Sequence, residues 1–443
     1  MERPARPNDA PLSARRAPAR LAAALAALLC APAIAQAATC APDATAPGGG
    51  VVRICMPSSM PWNGDAVIWA HGYVEPGREV AIPEEQLCLG GTFCLPEVIP
   101  ALGFAFVTTS YRTNGLALDA VDDVIEALDL FKDAHGTPAH VYLVGASEGG
   151  LVTALGVERR PDLFDGGVAA CGPIGDMDRQ VAYYADFRVL FDYFFPGLLP
   201  GTVGNVPDEA RANWETLWND TLKPAIFAPE AASRLAQLLR TARSSYMAND
   251  PLTIETTVHD ALWYNVFGGN DLVAKLGGMA YDNTARQYMG SEDDAALNAA
   301  VARIAGDPDA FATVDARLQT TGHLTRPMVT LHTWMDQQVA YVQEILYTMK
   351  VRDVGASALR VNVPVFRYGH CNFRPLEALL SFAIVVARVM GAPPAGAERL
   401  LPEADRAAYL QALAARGYRP PAATDAGPTG PGTTPRRQAT TGD

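Results

Sequence analysis

The sequence predicts an α/β protein with a mostly parallel sheet of about eight strands and a helical segment inserted into it. Three observations predict this class. Buried strands alternate with helices over residues 51–171, the chain is mainly helical over 172–325, and the alternation resumes at residue 328. Strands that alternate with helices form parallel sheets covered on both faces. The insertion therefore separates two strands of one sheet.

The first part of the predicted core contains five short apolar strands. Residues 117–134 have apolar side chains at helical spacing, such as Val121, Val124 and Leu128, and residues 148–158 also suit a helix. The predicted strands are Val51 to Met56, Ala66 to Ala70, Phe104 to Thr109, Val141 to Val144 and Gly167 to Cys171.

The second part of the predicted core repeats the same alternation. It consists of strand Met328 to Thr333, helix 338–350, strand Val361 to Phe366 and helix 375–390. The predicted segments are a linker at 36–50 within a first core part at 36–171, a helical cap at 172–325, a second core part at 326–400, and a C-terminal extension at 401–443. The extension is rich in Pro, Gly and Thr from Gly417 onward, which predicts disorder there.

Composition and the N-terminus restrict the class of protein. Of 443 residues, 49% are hydrophobic and 19% charged, with a net charge of −13, which excludes global disorder and disfavours binding to nucleic-acid phosphates. A basic leader precedes the apolar run Leu21 to Ile34, which closes with the small-x-small pattern Ala33-Ile34-Ala35. Residues 1–35 are therefore predicted to be a signal peptide, and the protein to be secreted or periplasmic without a stable membrane anchor.

Six cysteines follow the predicted signal peptide, and an even number in an exported chain indicates disulfides. Six cysteines allow fifteen pairings, so most of the connectivity stays open. Cys88 and Cys94 are close enough to pair locally, and Cys40 could pair with Cys55. Cys171 ends one predicted strand and Cys371 lies in the loop after another, at the same sheet edge, which predicts a bond between them; the alternative is two free buried thiols.

The strongest chemical signal is Gly145-x-Ser147-x-Gly149, between a predicted buried strand and a helix. A tight strand-to-helix turn needs small neighbours, and it raises the serine hydroxyl above the sheet edge. The same turn points the Glu148 N–H at a reacting carbonyl oxygen. The alternative is a glycine-rich turn in which the serine only caps the helix.

A nucleophilic serine needs a base and an acid. His370 follows the last predicted strand and lies in a loop at the sheet edge, whereas His332 lies within a strand and is predicted to pack in the core. Asp336 lies three residues beyond a strand end at that same edge, with Asp353 as the weaker alternative. The predicted triad is therefore Ser147, Asp336 and His370.

The expected oxyanion donors are the backbone N–H groups of Glu148 and Tyr73, the latter in His71-Gly72-Tyr73 after a strand. His71 itself is then structural. No CxxC or HExxH pattern, phosphate loop or dinucleotide fingerprint occurs in the sequence, so we expect no metal and no cofactor.

An aromatic cluster lies at the start of the predicted cap. One interpretation is a face that joins the cap to the core; the other is a wall for an apolar or aromatic acyl group, with Tyr183, Tyr184, Phe187 and Phe191 contacting substrate. Seven aromatic residues occur within thirteen positions: Tyr183, Tyr184, Phe187, Phe191, Tyr193, Phe194 and Phe195.

Over residues 51–171 and 326–392 the chain resembles the alpha/beta-hydrolase superfamily, through His71-Gly72, the Ser147 motif, Asp336 and His370 in that order. The resemblance implies a serine hydrolase with a helical cap. Cys371 after the histidine is similar to tannase and feruloyl-esterase enzymes, and cap-bearing proline aminopeptidases are also similar.

The sequence therefore predicts exported hydrolysis of a small-molecule or polymeric carboxylic ester through an acyl-enzyme, with no nucleic-acid partner. One alternative is a serine peptidase, which an acidic cluster in the cap pocket would favour. The other is a catalytically inactive hydrolase fold used for binding, against which a complete triad argues.

Overall fold

The core of the computed structural model, which describes residues 38–419, is a nine-stranded sheet in the order β1-β3-β7-β4-β8-β9-β10-β11, with β2 paired to β3. The six strands from β7 to β11 in this order are parallel, and β3 runs antiparallel to β7. The strands are β1 Ala38–Cys40, β2 Ala44–Thr45, β3 Val51–Pro57, β4 Ala66–Ala70, β5 Cys88–Leu89, β6 Phe93–Cys94, β7 Ala105–Thr109, β8 Val141–Ala146, β9 Gly166–Ala170, β10 Met328–Met335 and β11 Arg360–Tyr368. Strands β5 and β6 form a separate hairpin.

Helices cover both faces of this sheet, which is why its central strands are apolar on both sides. Helices α1, α14 and α15 pack on one face, and α2, α3 and α13 pack on the other. The helices are α1 Leu95–Ala101, α2 Ala120–His135, α3 Glu148–Arg159, α4 Met177–Phe194, α5 Asp208–Ala212, α6 Trp214–Leu217, α7 Lys223–Ile226, α8 Ala232–Thr241, α9 Pro251–Trp263, α10 Gly269–Leu276, α11 Asp294–Ala300, α12 Pro308–Arg317, α13 Val342–Asp353, α14 Pro375–Met390 and α15 Glu403–Ala414. The predicted α/β class is confirmed.

The helices α4–α12 form one insertion, which we call the cap, between β9 and β10. These two strands are hydrogen-bonded neighbours in the sheet, with Val168 opposite Val329. The cap has its own apolar core, which contacts the sheet domain through residues such as Leu151 and Leu155 of α3. The insertion therefore leaves the pairing of the sheet unchanged.

Two expectations about the chain ends need correction. Residues 36–50, expected to be a linker, contain the short strands β1 and β2, because their backbone groups pair with β3. Residues 401–443, expected to be an extension beyond the core, begin with helix α15, whose buried Tyr409 and Leu413 pack into the same apolar cluster as α14. The predicted signal peptide lies outside the described residues, as does the tail predicted to be disordered, apart from residues 417–419.

Within residues 38–419, none of the helices combines the length and the apolar character that crossing a bilayer requires.

Candidate active site

The turn after β8 holds Ser147 in a strained backbone conformation. Its φ of 59° and ψ of −123° lie in a region that residues with a side chain rarely adopt. The flanking glycines are required, because a Cβ at Gly145 would overlap the Gly149 carbonyl and one at Gly149 would overlap the Ala70 carbonyl. The Ser147 N–H donates to Ala170 O at 2.9 Å, which ties the turn to β9.

The structure brings Ser147, His370 and Asp336 together as a hydrogen-bonded triad, which we call the row. His370 Nε2 lies 2.8 Å from Ser147 Oγ, and His370 Nδ1 lies 2.8 Å from Asp336 Oδ2. The other Asp336 oxygen accepts from the N–H groups of Gln338 and Val339, at 2.9 and 2.8 Å. Burial would raise the pKa of Asp336, but the His370 charge and the hydrogen bond from His332 hold it well below its usual range. Asp353, the alternative acid, is exposed and paired with Arg352.

His332 is buried within β10, as expected, but it also contacts the acid of this row. Its Nε2 lies 2.8 Å from Val339 O and 3.4 Å from Asp336 Oδ2, and its Nδ1 lies 3.4 Å from Glu344 Oε1. Sequence reasoning missed this pair. The sequence did contain a signal for it. Glu344, Tyr347 and Val351 are at helical spacing, which places an acid on the buried face of α13.

The expected oxyanion donors belong to two loops beside Ser147. Gln86, which sequence reasoning missed, holds the first loop: its Oε1 accepts from the Gly72 N–H at 2.7 Å, and its Nε2 donates to Tyr73 O at 3.3 Å. A Cβ at Gly72 would lie 3.1 Å from Ser147 Cβ, so the loop passes directly over the serine. The loop that carries Tyr73 therefore lies beside Ser147, and the donation of the Tyr73 and Glu148 N–H groups to an oxyanion stays a prediction.

The side chains of His71 and Glu148 contact neighbouring backbone groups. His71 is buried, stacks on Tyr111 and contacts the Gly72 carbonyl, and burial lowers its pKa. The Glu148 carboxyl accepts from the Ala117 N–H at 2.8 Å, and burial raises its pKa to about 7. Both side chains therefore support the loops around the serine.

Three disulfides join Cys40 to Cys55, Cys88 to Cys94, and Cys171 to Cys371. The last pair has a Cα separation of 5.4 Å and links the end of β9 to the loop that carries His370. Cys371 Sγ lies 3.4 Å from His370 Nε2. Cys171, His370 and Cys371 are close enough to hold one metal ion, but the disulfide occupies both sulfur atoms, which are therefore not thiolate ligands.

We expect reduction of the Cys171–Cys371 bond to lower activity before the core unfolds, because the His370 loop loosens first. The bond spans 200 residues, for which the chain-entropy model gives roughly 5 kcal/mol as an upper figure. Activity and near-ultraviolet circular dichroism should be followed together as reductant is increased. The control is the double variant Cys88→Ser with Cys94→Ser, which removes a bond that spans only six residues. Simultaneous loss of both signals in the parent protein would contradict the expectation.

The cap is hydrogen-bonded to the turn that carries Asp336. Tyr183 Oη donates to Gln337 O at 2.7 Å, and Tyr184 Oη donates to Gln338 O at 2.9 Å. Asp260 of α9 accepts from the side-chain amides of both glutamines, each at 2.8 Å. The cap therefore contributes to the position of the acid.

Phe187 and Phe191, predicted to contact substrate, do not lie at the site. Both are fully buried in the apolar core of the cap, and neither lines a cavity beside Ser147. Their spacing on one helical face correctly indicates burial, but it cannot indicate which neighbour buries them. Tyr184 does line a cavity beside Ser147.

Two cavities meet at Ser147. The larger, which we call the sheet cavity, has a volume of about 380 Å³ and lies between the sheet and helices α1 and α14. The smaller, which we call the cap cavity, has a volume of about 110 Å³ and lies between α3 and the cap. Tyr264 lines both, in a π-helical turn at Tyr264–Gly268 of the kind often found at functional sites. Glu148 is the one acid among the described residues that line either cavity.

Comparisons with known proteins give one family match over part of the chain and several distant structural similarities. Residues 101–189 match the sequence profile of the prolyl oligopeptidase family. No protein with curated functional information matches the chain by sequence. Among solved structures, the chain is similar to an acylaminoacyl peptidase from Pyrococcus horikoshii (10% identity, TM-score 0.41), covering 82% of this chain but only 44% of that one.

Two further solved structures are covered over most of their length. Feruloyl esterase B from Aspergillus oryzae has 14% identity and a TM-score of 0.43, with 80% of this chain and 81% of that one covered. Lipase A from Candida antarctica has 13% identity and a TM-score of 0.45, with 86% and 87% covered. The sheet order and the turn at Ser147 agree with the expected resemblance to the alpha/beta-hydrolase superfamily, and the profile match over residues 101–189 includes that turn.

Proposed function

We propose that this chain is an exported serine hydrolase that cleaves carboxylic esters through an acyl-enzyme intermediate. The observation that carries the proposal is the row Ser147–His370–Asp336, with both hydrogen-bond distances at 2.8 Å. This spacing lets an imidazole take the serine proton while a buried carboxylate stabilises the resulting imidazolium. The complete row also argues against a fold used only for binding.

In the proposed reaction, Ser147 Oγ attacks the ester carbonyl carbon and its proton moves to His370 Nε2. The N–H groups of Glu148 and Tyr73 stabilise the negative oxygen of the tetrahedral intermediate. The intermediate collapses when the bond to the alcohol oxygen breaks and His370 donates its proton to that oxygen. Water, deprotonated by His370, then attacks the acyl carbon, and the bond from that carbon to Ser147 Oγ breaks as His370 returns the proton to Ser147 Oγ, which releases the carboxylic acid.

The lining of the two cavities favours an ester over a peptide with a free amino terminus. Such a terminus requires an acidic cluster, and Glu148, the one acid among the described lining residues, already accepts a hydrogen bond from Ala117. A serine peptidase remains the second candidate, supported by the profile match over residues 101–189.

The disulfides and the predicted signal peptide support a secreted or periplasmic location.

The deciding experiment compares nitrophenyl esters with aminoacyl and N-acylaminoacyl nitroanilides on the same preparation. We expect kcat/KM for the best ester to exceed that for the best anilide by at least about a hundredfold. The reverse order would favour the peptidase. No Ser147-dependent turnover of either series would contradict both hydrolase candidates.

A further inference from the structure

The sheet cavity extends well below the edge at which Ser147 lies. Val67 of β4 and Phe106 of β7 line it side by side, and Val67 is three residues before the end of its strand. At about 3.3 Å per residue, the cavity therefore reaches roughly 10 Å below the sheet edge. Val98 of α1 and Phe382 of α14 close it from the helical side.

The polarity of the sheet cavity changes along its length. The polar side chains of the lining lie at the end near Ser147. Gln86 accepts from the Gly72 N–H, the Gln338 N–H donates to Asp336, and His370 Nε2 contacts Ser147 Oγ. Deeper in the cavity, the lining consists of aliphatic and aromatic side chains, such as Val168 and Phe382. A ligand that fits this cavity is polar at one end and apolar along the rest.

The volumes limit what each cavity can hold. A cavity of roughly 150 Å³ holds benzene, so a cavity of about 380 Å³ holds roughly fifteen carbon atoms. When the ester group itself occupies the mouth of the cavity, space for a chain of about ten carbon atoms is left. The cap cavity, at about 110 Å³, holds only a small group. We propose that the substrate is an ester with an apolar chain of about ten carbons in the sheet cavity and a small group on the other side. This inference rests on the proposed function.

The test measures kcat/KM for two series: methyl esters of C2 to C16 acids, and acetate esters of C2 to C16 alcohols. In one series kcat/KM should rise by about threefold to fourfold per methylene up to about ten carbons and then fall. The variant Val168→Phe should move this optimum to six carbons or fewer, because the aromatic ring fills the cavity from β9. The exposed Val342→Phe is the matched control, and its optimum should stay at about ten carbons.

Each outcome decides a different question. Ester turnover that peaks at two to four carbons in both series would overturn the chain inference and leave the proposed function standing. An optimum that does not move in a folded Val168→Phe variant would also overturn it. If that variant does not fold, the parent protein's inhibition by alkylboronic acids of two to twelve carbons provides the second measurement. Inhibition constants that do not fall with chain length would overturn the inference.

A second observation concerns the buried His332. All three atoms near its ring nitrogens are oxygen acceptors: Val339 O, Asp336 Oδ2 and Glu344 Oε1. Glu344 accepts through Oε2 from Thr330, Arg360 and Asn362, and although burial would raise the pKa of its carboxyl, His332 and the Arg360 charge hold that pKa below its usual value. An ionised Glu344 leaves acceptors at both ring nitrogens, so we infer that both carry hydrogen and that His332 is an imidazolium.

The surroundings of His332 support this charge state. Burial would lower its pKa, but the hydrogen bonds to Asp336 and Glu344 outweigh burial and raise its pKa to about 10. Its other neighbours are the Tyr341 ring at 5.7 Å and Arg360, which contacts Glu344 from β11. Asp336 consequently interacts with two histidines, one at the reacting serine and one that is charged at neutral pH.

We infer that His332 acts through Asp336 as a positioning residue, offsetting part of the negative charge that faces His370. A carboxylate beside a histidine favours the protonated ring, which cannot accept the serine proton. The positive His332 opposes that effect of Asp336. His332 thus helps to set the pH below which activity falls, although it is not part of the Ser147–His370–Asp336 row.

The test is the pH dependence of kcat/KM for the variant His332→Gln. We expect the midpoint of its acidic limb to move to higher pH by about half a unit or more. The matched control is His140→Gln, because His140 also pairs with a carboxylate, Asp65 at 2.9 Å, but at the opposite edge of the sheet. Its midpoint should not move.

A purely structural role for His332 would lower the plateau of the pH profile without moving the midpoint, and that result would overturn the inference. If His332→Gln does not fold, nuclear magnetic resonance of the ¹⁵N-labelled parent protein decides instead. One of the seven imidazoles should show two protonated nitrogens at pH 8.5. Neutral rings throughout would overturn the inference.

Discussion

Replacement of Ser147 by alanine should lower ester turnover by on the order of a millionfold, as removal of a triad nucleophile does. The remaining residues can still bind the ester and donate to its oxygen, but they supply no attacking atom. The substitution removes one oxygen atom at a partly exposed turn, so the thermal unfolding midpoint should change little. Single-turnover and steady-state rates on the best nitrophenyl ester provide the measurement.

The control for Ser147→Ala is Ser357→Ala, which changes an exposed serine in a short 3₁₀ turn near the start of β11. That variant should keep the parent rate. Turnover by Ser147→Ala within tenfold of the parent protein would disprove the assignment of the nucleophile.

Replacement of Asp336 by asparagine should lower kcat by about ten-thousandfold. Asparagine is neutral, and its amide can hold the His370 ring in the tautomer that cannot accept the serine proton. The variant also leaves the charged His332 with one fewer carboxylate, so we expect a lower unfolding midpoint as well.

Asp353→Asn is the matched control for this prediction, because Asp353 is the other acid that the sequence offers after β10 and its side chain is exposed. Steady-state rates of the two variants should differ by at least a thousandfold. Equal rates would show that Asp336 is not the acid that supports His370.

The residues of the row were predictable from sequence because local signals identify them. Ser147 lies between glycines that the turn cannot replace, and His370 and Asp336 each follow a strand end at the same sheet edge. Parallel strands bring their carboxyl ends together, so position along the chain is enough to place these side chains near one another.

Contacts that depend on packing between distant elements were not predictable in this way. Gln86 reaches Gly72 only because the loop before β5 folds back over the serine. Glu344 meets His332 only because α13 packs on β10 at one particular rotation. Phe187 was assigned to the site because helical spacing identifies a buried face without identifying the neighbour that buries it.

The cap is inserted between two adjacent strands, β9 and β10, and this position determines how its length and sequence can change during evolution. Because the two strands pair directly, insertions or deletions within the cap leave the register of the sheet unchanged. The cap side of the binding site can therefore vary independently of the hydrolytic machinery over most of its length. The exceptions are Asp260, Tyr183 and Tyr184, whose contacts with Gln337 and Gln338 tie the cap to the turn that carries Asp336. A transplanted cap without an equivalent acid would bring a new pocket but a less ordered catalytic base.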